Sequence, residues 1–353
     1  MNSRIKSLRE KMLQEKLDGL IIMNPVNIRY LIGVQAEGTL LLNEHETVFI
    51  TDARFIESVS SVITIEDEIN TYDCLNVTEN DYLAFFQMCN RVGFEEHFVT
   101  YVQYNNIIRR FRLKEAVETN RIVEKMRMIK SQDEIKSIEK ACEITDACFI
   151  HLLEYIKIGM TERQIAFEIE KFFIEKDADG VAFDTIVASG ENSSKPHAVP
   201  SNRIIQNGDT ITIDFGAKYN GYCADMTRTF FIGNVSEEQK ELYEFVLNSQ
   251  IRAFNKIKNG ADGKIISKGV QDEFYAHNYG LIHALGHGVG LEVHEIPYLS
   301  YKTGYTLKEN MIVTNEPGIY IPSKFGIRIE DTVLVNNMSA TNLTKSDKRI
   351  IVI

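Results

Sequence analysis

The sequence lacks two features that would indicate a nucleic-acid-binding or membrane-spanning protein. Its 39 Lys and Arg residues are outnumbered by 50 Asp and Glu residues, and the formal net charge of -11 argues against nucleic acid or an anionic membrane as a partner. No stretch reaches the roughly eighteen apolar residues of a membrane span, and the charged N-terminal segment lacks the apolar core of a signal peptide. We therefore expect a cytoplasmic protein that acts on small or cationic partners.

Cysteine is also sparse, and its spacing excludes two further classes. An odd number of cysteines with no CxxC pair is typical of reduced intracellular thiols rather than of a disulfide framework or a zinc site. The five are Cys74, Cys89, Cys142, Cys148 and Cys223.

The chain of 353 residues is long enough for one large or two medium domains. Arg4 to Lys16 carries a helical apolar stripe, and short strand-like runs follow at Leu20 to Met23 and Thr47 to Thr51, which indicates an α/β domain. A capping box at Ser131 then opens a long amphipathic helix. We predict one domain over residues 1–125 and a second over residues 126–353.

The second half alternates long helices with strands. Capping boxes at Thr161 and Ser236 predict two more helices. Between the helices lie strand-like runs at Ile186 to Ala188, Thr210 to Phe215, Tyr222 to Phe231, Met311 to Asn315 and Ile327 to Val335. This order predicts an α+β domain whose helices back an antiparallel sheet.

Two aspartates lie on a predicted hairpin. Asn220-Gly221 between two strand-like runs is the strongest short-range sign of a two-residue β-turn. That turn places Asp214 opposite Thr227 and puts Asp225 on the same face, so the carboxylates are diagonal neighbours roughly 5 to 8 Å apart. Two such carboxylates repel each other, and a divalent metal would relieve the repulsion. A solvent-facing strand pair with two soluble acids is the alternative that the hairpin alone leaves open.

Three histidines lie within one short glycine-rich segment, at His283, His287 and His294. The segment does not have the helical HExxH spacing of a zinc peptidase, because no Glu follows His283 and the glycines disfavour a helix. A loop that presents imidazoles into a pocket explains it better. Any one of these histidines, or His197 further upstream, could alone be a structural residue.

Two glutamates complete the set of candidate ligands. Glu316 ends an apolar strand directly before Pro317-Gly318, and Glu330 shares one face of a later strand with Arg328. A buried acid at a strand end requires a cation. A surface turn for Glu316 and a salt bridge to Arg328 for Glu330 are the alternatives.

Five ordered motifs together resemble the pita-bread metallopeptidases, and specifically the Xaa-Pro group that contains prolidase and aminopeptidase P. The motifs are Thr212–Ala217, Cys223–Thr229, His283–Glu295, Asn315–Tyr320 and Arg328–Thr332. The resemblance implies an α+β fold with a C-terminal pita-bread domain of the creatinase/aminopeptidase type. Weaker matches at Asn27–Leu31 and Thr51–Phe55 imply an N-terminal α/β creatinase-like domain.

The resemblance also assigns roles to the candidate residues. It implies that two divalent metal ions are held by Asp214, Asp225, His287, Glu316 and Glu330, with Asp225 and Glu330 bridging them. It implies that His197, His283 and His294 contact the scissile carbonyl and the proline-side residue, and that Arg328 and Tyr320 brace Asp214. Glu316 would also carry the proton, and His294 would stabilise the oxyanion.

The implied reaction is hydrolysis of the bond between an N-terminal residue and proline, in dipeptides or short peptides. Four carboxylates and one imidazole form an oxygen-rich set that favours Mn²⁺, although Co²⁺, Fe²⁺ or Zn²⁺ could bind. The resemblance implies a homodimer. A non-proline aminopeptidase, an amidinohydrolase and a catalytically silent binding protein on the same fold are the alternatives, and the choice between dipeptidase and aminopeptidase stays open.

Overall fold

The computed structural model describes residues 3–353, which fall into two compact units, one ending at Arg127 and the other running from Met128 to Ile353. The break lies two residues beyond the predicted end of the first domain at residue 125. The break coincides with the C-terminal end of the helix Ile122–Arg127.

The first unit is an α/β domain built on one six-stranded mixed sheet. Its strands have the order β4-β3-β2-β1-β5-β6, in which β1 pairs antiparallel with β2 and parallel with β5. The elements are α1 (Ser3–Gln14), β1 (Gly19–Ile22), α2 (Pro25–Ile32), β2 (Gly38–Asn43), β3 (Thr47–Thr51), α3 (Ala53–Val62), β4 (Ile69–Asp73), α4 (Glu79–Phe85), β5 (Arg91–Phe94), α5 (Tyr101–Phe111), β6 (Glu115–Glu118) and α6 (Ile122–Arg127).

The N-terminal sheet is completed by elements that the sequence pattern did not predict. β4 and β6 are edge strands with mixed polar and apolar residues, so their apolar periodicity is weak. They pair in parallel with β3 and β5, and such pairing is set by tertiary contacts rather than by a local turn.

The second unit consists of four helices and several antiparallel sheets. Its elements are α7 (Gln132–Tyr155), α8 (Glu162–Glu175), β7 (Gly180–Val181), β8 (Ile186–Ser189), β9 (Thr210–Phe215), β10 (Ala217–Tyr219), β11 (Tyr222–Cys223), β12 (Met226–Phe231), α9 (Glu237–Phe254), α10 (Gly263–Ala276), β13 (Gly286–Gly288), β14 (Glu295–Leu299), β15 (Ile312–Asn315), β16 (Gly318–Ile321), β17 (Phe325–Arg328), β18 (Asp331–Val335) and β19 (Ala340–Asn342). All strand pairs named within this unit are antiparallel, as predicted.

Helices cover the outer faces of these sheets. One apolar cluster joins α7 and α8 to the sheet β12-β9-β8, through side chains such as Phe149, Phe173 and Phe215. Another joins α9 and α10 to the sheet β14-β13-β15-β18-β19, through side chains such as Phe274 and Val313. Burial on this scale supplies the main stabilising free energy of the unit. The predicted α+β domain with helices backing an antiparallel sheet is confirmed.

Local helix signals were accurate because capping is a local interaction. The N-caps are Ser131, Thr161 and Ser236. In each case the hydroxyl oxygen of the cap accepts a hydrogen bond from the backbone amide of the third helix residue, and the side chain of that residue accepts one from the backbone amide of the cap.

The predicted continuous strand from Ile327 to Val335 is wrong. The chain forms β17 and β18, which belong to different sheets and are separated by Ile329 and Glu330. β17 pairs with β16, β18 pairs with β15, and the amide of Glu330 donates to Thr227 O at 3.1 Å instead of to either strand. A change of pairing partner leaves the alternation of side chains intact, so the sequence pattern could not reveal it.

In the segment from Ser3 onward, no helix combines the length and the apolar character needed to cross a membrane.

Candidate metal centre

The hairpin that carries the two aspartates has the predicted register. Tyr219 lies opposite Tyr222, and Asp214 lies opposite Thr227. Gly216 allows the two strands of the hairpin to approach each other closely beside Asp225, because a Cβ at position 216 would lie 1.8 Å from Ala224 O. The close approach fixes both carboxylates on one side of the hairpin.

His287 brings the histidine loop to these carboxylates. One ligand atom each from Asp225, His287 and Glu330 lie within 4.8 Å of one another, and all three residues are buried. His287 Nε2 lies 3.6 Å from Asp225 Oδ2 and 3.3 Å from Glu316 Oε1. Asp225 and Glu316, from separate segments, therefore converge on one imidazole nitrogen, and Glu330 lies in the same cluster.

Backbone and hydroxyl groups fix the orientation of the imidazole and of Glu316. His287 Nδ1 lies 3.2 Å from Gly288 O, and in the neutral ring, the form that binds a metal, this carbonyl assigns the single proton to Nδ1 and leaves the lone pair on Nε2. The hydroxyl of Thr314 accepts from His287 N at 3.0 Å and donates to Glu316 Oε1 at 3.2 Å. One threonine thus connects two candidate ligands.

Glu330 is held by a second threonine and by a buried arginine. Thr227 Oγ1 donates to Glu330 Oε2 at 2.6 Å. Arg228 is 1% exposed and donates to the Glu330 carbonyl, to Asp331 Oδ1 at 2.7 Å and to Ser346 O at 2.9 Å. Lys348 also donates to Asp331. A buried ion-pair network therefore lies directly behind Glu330.

The acids repel one another strongly. Burial raises the pKa of Asp225 well above its ordinary value, and the charges of Glu330 and Asp214 raise it further. Burial likewise raises the pKa of Glu330, with Glu316 and Asp214 adding to the shift. Within the protein alone, burial and mutual repulsion therefore oppose the ionisation of these carboxylates.

The contact between His287 and Glu316 shifts the pKa of both residues in the direction that favours their charged forms. Burial lowers the pKa of His287, but the hydrogen bond and charge of Glu316 outweigh it and raise the pKa above its usual value. Burial raises the pKa of Glu316, but the hydrogen bond from His287 and the charges of His287 and His283 lower it to about 2.

Asp214 provides a direct test of whether a metal fits. Its Oδ2 accepts from Arg328 at 2.7 Å, whereas its buried Oδ1 has no hydrogen-bond partner among residues 3–353. A buried carboxylate oxygen without a donor is costly, and it requires a cation or a proton. Together with the repulsion at Asp225 and Glu330, this unpaired oxygen shows that the residues fit a divalent cation.

Arg328 and Tyr320 form a support beneath Asp214. Arg328 also donates to Tyr320 OH at 2.7 Å and to Thr227 Oγ1 at 3.0 Å, and it makes no ion pair with Glu330 in the part of the chain that the structure describes. Burial raises the pKa of Tyr320 to about 12, so the phenol keeps its proton and can donate to His283 Nε2, 3.0 Å away.

The remaining predicted histidines lie around the same cavity. His283 Nδ1 lies 3.8 Å from Glu316 Oε2, and the ring centroids of His287 and His294 are 4.3 Å apart. Burial lowers the pKa of both His283 and His294. His197 and His294 are exposed to the cavity rather than packed within the protein.

The cavity has a volume of about 580 Å³ and contacts all five predicted metal ligands and all three predicted pocket histidines. Its other walls are the segments 183–186 and 196–200 and the side chains of Val293 and Tyr298. This volume is sufficient for a small peptide.

Sequence reasoning missed the residue that anchors one wall. Glu162, fully buried at the start of α8, accepts hydrogen bonds from the backbone and hydroxyl groups of Ser189 and Ser201 and from Asn192. It thereby ties down both ends of the segment that carries His197. The capping box at Thr161 marked the helix start, but no local signal showed what Glu162 would contact.

The two-domain fold and the cluster of acids around His287 define the class of a creatinase-like metallopeptidase. Residues 4–129 match the creatinase/prolidase N-terminal domain, and residues 136–337 match metallopeptidase family M24.

The chain belongs to metallopeptidase family M24 and is a peptidase, related to Xaa-Pro dipeptidases. It is 36% identical to the Xaa-Pro dipeptidase of Pyrococcus furiosus, over 99% of this chain and 100% of that protein.

Solved structures agree over the whole length. The Xaa-Pro dipeptidase of Bacillus anthracis is similar with a TM-score of 0.93 and 35% identity, covering 99% of each chain. The X-Pro aminopeptidase of Thermotoga maritima is similar with a TM-score of 0.90 and 34% identity, again over 99% of each chain. The predicted pita-bread fold and the resemblance to the Xaa-Pro peptidases are confirmed.

Proposed function

We propose that this protein hydrolyses the peptide bond between an N-terminal residue and proline, and that it uses two divalent metal ions, Mn²⁺ by preference. The observation that carries the proposal is the convergence of buried, mutually repelling carboxylates on His287 Nε2 at the floor of a cavity. Proteins known as Xaa-Pro dipeptidases and aminopeptidases share the complete fold, which supports the same reaction here.

The proposed ligands are Asp214, Asp225, His287, Glu316 and Glu330. Four carboxylates and one imidazole are hard donors, which suit Mn²⁺ better than a thiolate-preferring ion. Two bound ions would lower the pKa of a water and polarise the scissile carbonyl.

The chain's own residues would then handle the proton. Glu316 lies in the cavity lining, where its carboxylate would accept a proton from the attacking water. The same carboxyl group would return the proton to the prolyl nitrogen when the peptide bond breaks. Thr314 holds Glu316 during both transfers through its bond to Oε1.

The histidines would bind and orient the peptide. His294 is exposed to the cavity beside His287, where an imidazole N–H can donate to the developing oxyanion. His283 is fixed through Tyr320 and Arg328, and His197 through the segment anchored by Glu162. A prolyl bond has no N–H to recognise, so shape and these imidazoles would select it.

The test is a comparison of Ala-Pro, Ala-Pro-Gly-Gly and Ala-Ala as substrates for the Mn²⁺-loaded enzyme. Cleavage of the proline substrates with release of alanine, and much slower cleavage of Ala-Ala, is the expected result. Equal or faster hydrolysis of Ala-Ala would favour the non-proline aminopeptidase alternative. Metal binding without hydrolysis would favour the silent binding protein.

The same comparison measures the preferred length of the substrate. A dipeptidase would prefer Ala-Pro, and an aminopeptidase would prefer Ala-Pro-Gly-Gly. The homodimer and the cytoplasmic location stay predictions, and light scattering tests the dimer.

A further inference from the structure

One wall of the cavity is formed by an interruption in strand pairing. Val181 lies opposite Ala217, the amide of Ala182 donates to Gly216 O at 2.8 Å, and Ile186 lies opposite Asp214. The three residues 183–185 therefore face the single residue 215 on the neighbouring strand. This is an extended β-bulge, and such bulges redirect side chains next to active sites.

All three bulge residues contact the cavity. Phe183 adds apolar surface to the wall, and the buried hydroxyl of Thr185 has no hydrogen-bond partner among residues 3–353. Asp184 is exposed, and over the same residues it forms no ion pair and no side-chain hydrogen bond. The bulge therefore presents to the cavity a carboxylate that pairs with no side chain among residues 3–353.

Asp184 is also the one acid in the described cavity lining that is not a proposed metal ligand. The single Lys or Arg in that lining, Arg328, is occupied by Asp214, Tyr320 and Thr227. No positively charged side chain of the described cavity lining therefore neutralises Asp184. A cationic group on the substrate is the partner that its charge selects.

A peptide can offer Asp184 two cationic groups, the α-ammonium and a charged first side chain, and the position of Asp184 favours the side chain. The α-ammonium lies beside the scissile carbonyl and hence near the proposed ligands, which include Asp214. The Cα of Asp184 lies at most roughly 7 Å from that of Ile186, the residue opposite Asp214, because two residues of extended chain span no more than that. A lysine side chain spans about 6 Å and carries its charge at the tip, so it can reach Asp184 while the α-ammonium stays near the metal ligands.

The walls assign this position to the first residue of the substrate. The proposed function places His197, His283 and His294 at the scissile carbonyl and the proline side. The segment 183–186 carries no histidine and is left for the first side chain. The stem of a long cationic side chain would lie on the apolar surface of Phe183 and Ile186, with its head in solvent near Asp184.

We propose that Asp184 gives this peptidase a preference for lysine or arginine as the first residue before proline. The inference rests on the proposed Xaa-Pro hydrolysis and specifies the substrate class of that site.

The test compares Lys-Pro with norleucine-Pro, whose first side chain has a similar aliphatic stem and no charge. For the Mn²⁺-loaded enzyme, we expect kcat/KM to be roughly threefold to tenfold higher for Lys-Pro, mainly through KM. Asp184→Asn should bring the ratio of the two kcat/KM values close to one, and Asp184→Lys should reverse it. The ratio should also fall at high salt.

A matched control is Asp133→Asn, which removes an acid that is 94% exposed on α7 and should keep the wild-type ratio. Equal kcat/KM for both substrates in the wild type would overturn the proposal. So would a loss in Asp184→Asn that affects both substrates equally, because that result indicates a contact with the α-ammonium or a structural role. Failure to cleave either substrate would instead contradict the proposed Xaa-Pro activity.

Discussion

The Thr227 hydroxyl donates a 2.6 Å hydrogen bond to Glu330 Oε2, and the amide of Glu330 donates back to Thr227 O at 3.1 Å. Thr227 lies directly opposite Asp214 on the hairpin. One residue of the strand pair therefore positions a glutamate that lies about a hundred residues away in the sequence. The proposed metal binding would therefore depend on a side chain that is not itself a proposed ligand.

Replacing Thr227 by Val should weaken metal binding, because Glu330 loses its orienting donor while the volume of the side chain is kept. Losses at such supporting positions are roughly tenfold to a hundredfold in metal affinity. Calorimetric titration of demetallated protein with Mn²⁺ measures the effect. Thr227→Ser keeps the hydroxyl and should restore most of the affinity, and a Val variant with wild-type affinity would contradict the assigned role.

Replacing Glu316 by Gln should remove hydrolysis while part of the metal content is kept. The amide cannot accept the proton of the attacking water, so we expect kcat to fall by at least about a hundredfold. Steady-state kinetics and elemental analysis of the same preparation provide the measurement. Glu309→Gln, at an exposed position, should behave as wild type. A Glu316→Gln variant with near-normal kcat would refute the proton-transfer role.

Removal of the metal should abolish activity and lower thermal stability together. A cation compensates the burial and the repulsion that raise the pKa of Asp225 and Glu330, and a ligand at a hundred times its Kd stabilises the folded state by about 2.7 kcal/mol. That figure corresponds to a Tm shift of roughly 5 to 10 °C for a domain of this size. Chelation followed by Mn²⁺ addition, monitored by scanning calorimetry and turnover, tests the prediction. Full turnover in thoroughly demetallated protein would contradict it.

Asp18 should make the N-terminal unit sensitive to acid. Hydrogen bonds from the backbone amides of Arg91 and Asn90 lower the pKa of Asp18 below its ordinary value. A lowered folded-state pKa contributes stability above the unfolded-state pKa, and that contribution disappears as the pH falls through the folded-state pKa. Asp18→Asn should therefore cost at most about 1 kcal/mol at pH 7, since the site is exposed.

The check on Asp18 is a series of urea unfolding curves at decreasing pH. The gap in stability between the wild type and Asp18→Asn should narrow below about pH 4. A gap that stays constant down to pH 2.5 would show that the carboxylate charge is not involved. Glu44→Gln, at a side chain that is 72% exposed, should leave the curves unchanged.

The parts of the site that local geometry determines could be predicted from the sequence. The Asn220-Gly221 turn fixed the register of the hairpin, and the register placed Asp214 and Asp225 on one side. His287, Glu316 and Glu330 could be placed beside them only through the resemblance of five motifs to a known family. No periodicity relates residues that far apart in the chain.

Apart from Arg328 and Tyr320, which the resemblance supplied, the residues that support the site were not predicted, because their contacts depend on long-range pairing. Thr314 connects His287 to Glu316, and Glu162 anchors a segment that begins 27 residues further along the chain. The bulge at residues 183–185 depends on how β8 aligns with β9, which the apolar pattern does not encode. The interruption between β17 and β18, at Ile329 and Glu330, also depends on long-range strand pairing.

The network behind Glu330 also has a consequence for biosynthesis. Arg228 donates to the Ser346 carbonyl, and Lys348 donates to Asp331. The backbone of Phe231 forms hydrogen bonds with that of Ile351 and Ile353. The ribosome makes Ser346, Lys348, Ile351 and Ile353 after every proposed ligand. A chain that lacks the segment 346–353 would lack groups that hold Glu330 in place, so the proposed hydrolytic site would be complete only after this segment has been translated.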